Sequence, residues 1–112
     1  MSWFRMRRVR EELEARLTGP DGRARGKLER KWYADGGGSV KLRLRETGMP
    51  DGTAVILRIE GITALGAEIA DGGLRIERED AADQPLPDAL EGDLVEVLSD
   101  GAVLASGRLT RD

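Results

Sequence analysis

Along most of this chain, apolar and charged side chains trade places at every second residue. A pleated strand buries such a pattern on one side, whereas a helix does not. Val40-Lys41-Leu42-Arg43-Leu44-Arg45 is the clearest case, with three aliphatic side chains on one face and three cations on the other. It predicts a half-buried antiparallel strand with one wet face. Ala54 to Glu60 is more continuously apolar and predicts a more central strand. Leu65 to Ile69 and Leu74 to Glu77 alternate around Asp71-Gly72-Gly73, a predicted hairpin. Leu94 to Leu98 and Ala102 to Leu109 flank Ser99-Asp100-Gly101, a second one with an Asp-Gly pair that tolerates positive φ.

Turn signals separate these runs. Gly19-Pro20-Asp21-Gly22 and Met49-Pro50-Asp51-Gly52 both carry Pro-Asp-Gly. There the proline presets the first corner, the aspartate bonds back to the backbone, and the glycine exits without a steric penalty. Asp35 to Ser39 is a looser, glycine-rich turn. Arg8 to Leu17 fits two periods. Val9, Leu13, Ala15 and Leu17 alternate as in a strand, while Met6, Val9, Leu13 and Leu17 also suit a helix with Arg10–Glu14 and Glu12–Arg16 pairs. The turn directly after it favours the strand. Glu79 to Gly92, with Pro85 and Pro87, reads as a long connection crossing between sheets, with room for a short helical turn at Asp88 to Glu91. The rhythm predicts an all-β chain: one antiparallel β-sandwich of about seven to eight short strands over residues 9–112. Residues 1–8 form an aromatic and basic arm, or a short helix, ahead of it.

What the chain lacks narrows its chemistry. It has no cysteine and no histidine, which removes disulfides, thiolate nucleophiles, the commonest general base and the usual zinc ligands. No catalytic motif stands out, so an enzyme is not expected and no cofactor is implied. No run is long enough to span a bilayer and the basic amino terminus lacks a signal's apolar stretch, so a cytoplasmic setting is expected, short of a signal removed upstream. The net charge of −3 hides a polarity: residues 1–45 carry thirteen Lys/Arg against six Asp/Glu, and residues 46–112 carry five against fifteen. Strands of the two halves are expected to interleave and face their charges across the sheets. The sharper alternative is a basic surface for an anionic partner or for the acidic half of another copy.

A faint repeat joins two distant strings. Ala24-Arg25-Gly26-Lys27-Leu28-Glu29-Arg30 matches Ala105-Ser106-Gly107-Arg108-Leu109-Thr110-Arg111 at the small residue, the glycine, the cation, the leucine and the last arginine. Coincidence in an Arg- and Gly-rich chain is one reading; equivalent places in the fold is the other. With Leu13-x-Ala15-x-Leu17-x-Gly19, Gly22-x-Ala24-x-Gly26, Met49-Pro50-Asp51-Gly52 and Ala105-x-Gly107-x-Leu109, the chain resembles chordin-type (CHRD-like) β-sandwich domains and related bacterial domains of unknown function. The resemblance covers roughly residues 11–110 and implies the sandwich alone. Those domains typically carry histidines in the middle and near the end, and this chain has none.

Candidate site residues fall in two groups. Loop acids Asp80, Asp83, Asp88 and Asp93, beside Glu79 and Glu91, are weak candidates for calcium. Their spacing is not that of an EF-hand, and solvated loop acids are the simpler reading. The head, Trp3-Phe4-Arg5-Met6-Arg7-Arg8, mixes aromatics, methionine and arginine, the types enriched at interfaces. Trp3, Phe4, Met6 and Arg7 are therefore interface candidates together with Tyr33, while Trp32 shares its face with Leu28 and Ala24 as a core residue. The expected function is a non-catalytic protein-interaction or assembly module that associates with itself. A small-ligand or calcium-binding sandwich using the Asp-rich loops is the alternative. Neither nucleic acid nor membrane is an expected partner, because one short arm with three arginines is too little for either.

Overall fold

The computed structural model describes residues 8–80 and 85–111, none of them helical. Nine strands follow in order: β1 (Val9–Thr18), β2 (Arg25–Tyr33), β3 (Gly38–Arg45), β4 (Ala54–Ile59), β5 (Ile62–Glu68), β6 (Leu74–Glu79), β7 (Leu94–Ser99), β8 (Ala102–Arg108) and the two-residue β9 (Thr110–Arg111). All pairings are antiparallel and lie on one path, β5-β4-β7-β8-β1-β2-β3-β6, with β9 extending β8 along β1. The sheet curls until its edge strands β5 and β6 approach each other, giving an all-β sheet nearly closed into a barrel. The expected sandwich had two sheets, whereas this hydrogen-bonded path is continuous.

Alternation builds the interior. Leu13, Ala15 and Leu17 of β1, Leu28 of β2, Val40, Leu42 and Leu44 of β3, and Val95 and Val97 of β7 point inward and are buried. The helix alternative for residues 8–17 is thereby settled as strand: only a period of two can bury Leu13, Ala15 and Leu17 together. Both Pro-Asp-Gly loops turn as their residues dictate, with Gly22 N–H donating to Gly19 O at 2.9 Å and Thr53 N–H to Pro50 O at 3.2 Å. Ser99 pairs with Ala102 around Asp100-Gly101, so the second hairpin forms. β4 lies between β5 and β7, consistent with its apolar run.

Three expectations are corrected. Asp71-Gly72 does make a tight turn, closed by Ala70 and Gly73 bonding each other at 2.9 and 3.0 Å. The strands leaving it are not a hairpin, however: β5 continues along β4 and β6 along β3, so the turn is the seam where the barrel's two edges part. Asp88 to Glu91 forms no helical turn. Leu86 and Ala89 instead bury their side chains, and the amides of Leu86 and Leu90 bond the carboxylates of Asp80 and Asp93 and not carbonyls of a helical turn. The halves do not interleave either. β4, β5, β7 and β8 lie together, β1, β2 and β3 lie together, and opposite halves meet only where β1 joins β8 and β9 and where β3 joins β6.

The repeat marks equivalent places. Thr18 of β1 faces Arg25 on one side and Ser106 on the other, Glu14 faces Glu29 and Thr110, and Leu13 faces Arg30 and Arg111. Each pair occupies matching positions of the two strings, so both flank β1 in the same register. Their glycines share a reason. A Cβ on Gly26 would run into the carbonyl of Arg43, and one on Gly107 into the carbonyl of Arg16, so each strand admits its neighbour closely only without a side chain.

Candidate functional site

Four cations stand side by side across four strands. Pairing sets Arg16 opposite Lys27, Lys27 opposite Arg43, and Arg43 opposite Arg75. With strands about 4.8 Å apart, this row runs about 14 Å around the barrel. Two residues along the strands, Arg25 stands opposite Arg45. Local sequence explains the orientation: burial of Leu17, Leu28, Leu42, Leu44 and Leu74 on one face sends the six interleaved cations to the other, and all six are exposed.

Like charges directly opposite one another destabilise a sheet, and relief here is partial. Lys27 Nζ lies 3.3 Å from both Glu14 and Glu29. Hydrogen bonds to Glu29 and then Glu14 hold its ammonium pKa above the usual lysine value. Among the described residues no carboxylate lies within ion-pair distance of Arg16, Arg25, Arg43, Arg45 or Arg75. A groove of about 510 Å³ runs between Arg25, Lys27, Arg43, Arg45 and Arg75. Further along the same face the sign changes: Glu14 opposes Glu29, Lys41 opposes Glu77, and Glu12 opposes Lys31. The cations therefore form a bounded band. Its side chains carry hydrogen-bond donors and no acceptor atoms, and five of them are planar guanidinium forks that match carboxylate or phosphate oxygens.

The opposite barrel end holds the most buried charge. Arg30 is 2% exposed, on the inward face of β2 between Leu28 and Trp32. Its guanidinium lies 4.5 Å from the Trp32 ring centroid and 3.7 Å from Asp80, and donates to the carbonyls of Lys31 and Ser39 at 3.1 and 3.4 Å. Nε has no partner. Burial pushes the Arg30 pKa down, and the charges of Asp80 and Asp88 oppose that shift. Asp80 also accepts Leu86 N–H at 2.6 Å, tying the crossing connection to the barrel.

Three of the four weak calcium candidates lie among the described residues. Asp80 serves Arg30 and Leu86, Asp88 is exposed, and Asp93 accepts Leu90 N–H at 2.9 Å. Among the described residues no group of three acids is placed to hold a metal ion. Tyr33 is half-buried, its hydroxyl 3.1 Å from Ser39 Oγ across the β2–β3 turn, and Trp32 packs partly buried against the core. Asp83, Trp3, Phe4, Met6 and Arg7 lie outside the described residues. Sequence reasoning missed Arg30, although the parity that turns Leu28 and Trp32 inward carries Arg30 with them. It also missed the band, because only strand register aligns Arg16, Lys27, Arg43 and Arg75. Among the described residues no helix is long and apolar enough to cross a membrane. Compared with protein-family models and with curated proteins, the chain matches none.

Proposed function

We propose that this protein is a non-catalytic interaction module that docks an anionic partner on the cationic band of β1, β2, β3 and β6. One observation carries the reading: a row of like charges, directly opposite one another and largely without counter-ions, works against the sheet that presents it. An anionic partner turns that repulsion into attraction. The ligand or calcium alternative has less support, since Asp80 and Asp93 direct their oxygens to Arg30 and to backbone. Self-association through the head is a second proposal, supported by its aromatic and arginine composition and tested by light scattering with and without residues 1–8; identical monomer masses remove it. The likeness to chordin-type sandwiches stays a proposal about architecture.

Retention on a heparin resin at low salt tests the docking surface. A chain of net charge −3 with a working band is retained, and Arg43→Glu with Arg75→Glu elutes markedly earlier. Equal elution of the two proteins overturns the proposal.

A further inference from the structure

Resting on that reading, we infer that the partner is a flexible phosphodiester chain, a single-stranded nucleic acid held by its backbone without regard to sequence. Two features of the band select it, and a third says how it is held. The first is shape. The band lies on the outside of a nearly closed barrel and is therefore convex. A rigid acidic surface, such as a second copy, meets a convex wall along little more than a line, whereas a flexible chain bends over it and reaches successive cations. The second is chemistry. Five of the six cations are arginine, whose fork takes two phosphate oxygens at once, and the groove between Arg25, Lys27, Arg43, Arg45 and Arg75 gives the chain a track. The third is what the band omits. Among the described residues it carries no aromatic side chain: Trp32 and Tyr33 sit at the far end of β2, five and six residues from Lys27. Bases then find no stacking platform, so affinity comes from phosphates alone and sequence is not read.

The acids bounding the band give the track a direction. Toward Glu14 and Glu29, which pair with Lys27, and Glu77, which faces Lys41, the run of unpaired cations ends, so the chain runs across the strands, along Arg16, Lys27, Arg43 and Arg75. The head alone carries three arginines, and register gathers six further cations on one surface.

Fluorescence anisotropy of a labelled oligothymidylate of about twenty nucleotides, titrated with the full chain between about 50 and 200 mM salt, tests this. Binding in the range of about 1 to 100 μM is expected, with a log–log salt slope of about −0.7 for each phosphate engaged. Arg43→Glu with Arg75→Glu weakens it at least about tenfold and flattens the slope. Arg111→Glu, 63% exposed and off the band, leaves it unchanged. Melting curves verify folding, and Arg43→Gln with Arg75→Gln serves if the double reversal unfolds the chain. If polyglutamate binds and the oligonucleotide does not, with the reversal abolishing the former, the phosphodiester inference fails while the docking surface stands. If neither probe binds, both fail. Equal oligonucleotide binding by the reversal variant, or a dimer mass that the reversal abolishes without any oligonucleotide binding, also overturns the inference.

Discussion

Two stretches of the barrel wall handle charge in opposite ways. On β4 and β7, Arg58 stands opposite Glu96 and the two form an ion pair at 3.3 Å. Around it the outer positions are small or apolar, Ile56 facing Gly66 on one side and Leu98 on the other. On β1, β2, β3 and β6 the same antiparallel geometry stacks Arg16, Lys27, Arg43 and Arg75 in one row. Both halves contribute buried side chains to one core. A sheet that matches Arg58 with Glu96, and Lys31 with Glu12 on the cationic wall itself, shows that register alone does not demand the cationic row. Its presence points to what the wall meets, not to what the wall needs.

The largest effect is expected at the far end of the cationic wall. Asp80→Asn leaves the buried Arg30 guanidinium without its counter-ion, and denaturant unfolding is expected to show a loss of about 3 kcal/mol. Next, a methyl group separates the walls. Gly26→Ala drives a Cβ into the Arg43 carbonyl and loses about 2 kcal/mol. Gly66→Ala on β5 meets only the Val55 carbonyl at 3.7 Å, an ordinary contact, and is tolerated within about 0.5 kcal/mol. Gly107→Ala, at the equivalent place beyond β1, is expected to behave like Gly26→Ala; a neutral result there breaks the equivalence of the two strings. Arg58→Glu turns a matched pair into a repelling one beside Glu96, and a loss of about 1 kcal/mol is expected. The same substitution at Arg43 acts in the other direction. The new carboxylate meets cations on both sides, and its melting temperature is expected to equal or exceed that of the parent.

Most of the strand framework was legible because alternation and turn chemistry are local. Leu42 and Arg43 declare their faces wherever β3 pairs, and Pro50-Asp51-Gly52 turns whatever surrounds it. Pairing partners are not local. Asp71-Gly72 has the residues of a hairpin turn, yet its strands separate because β3 and β4 compete for them with longer ladders. The band was half visible for the same reason. Lys41, Arg43 and Arg45 announce a cationic strand face, but nothing in the sequence sets Arg43 between Lys27 and Arg75. Arg30 hid behind its residue type: β2 parity turns it inward, and only Asp80, fifty positions later in the chain, makes that burial tolerable.

The claim on which the rest depends is that the cationic row opposes the stability of its own sheet. Thermal melting of the parent and of Arg43→Glu, followed from low to high salt, tests it most directly. The account expects the variant to melt at the same or a higher temperature at low salt, with the difference vanishing as salt screens the repulsion. A variant that melts well below the parent at low salt would mean that Arg43 holds the sheet together, and the row would then be scaffold and not a docking surface.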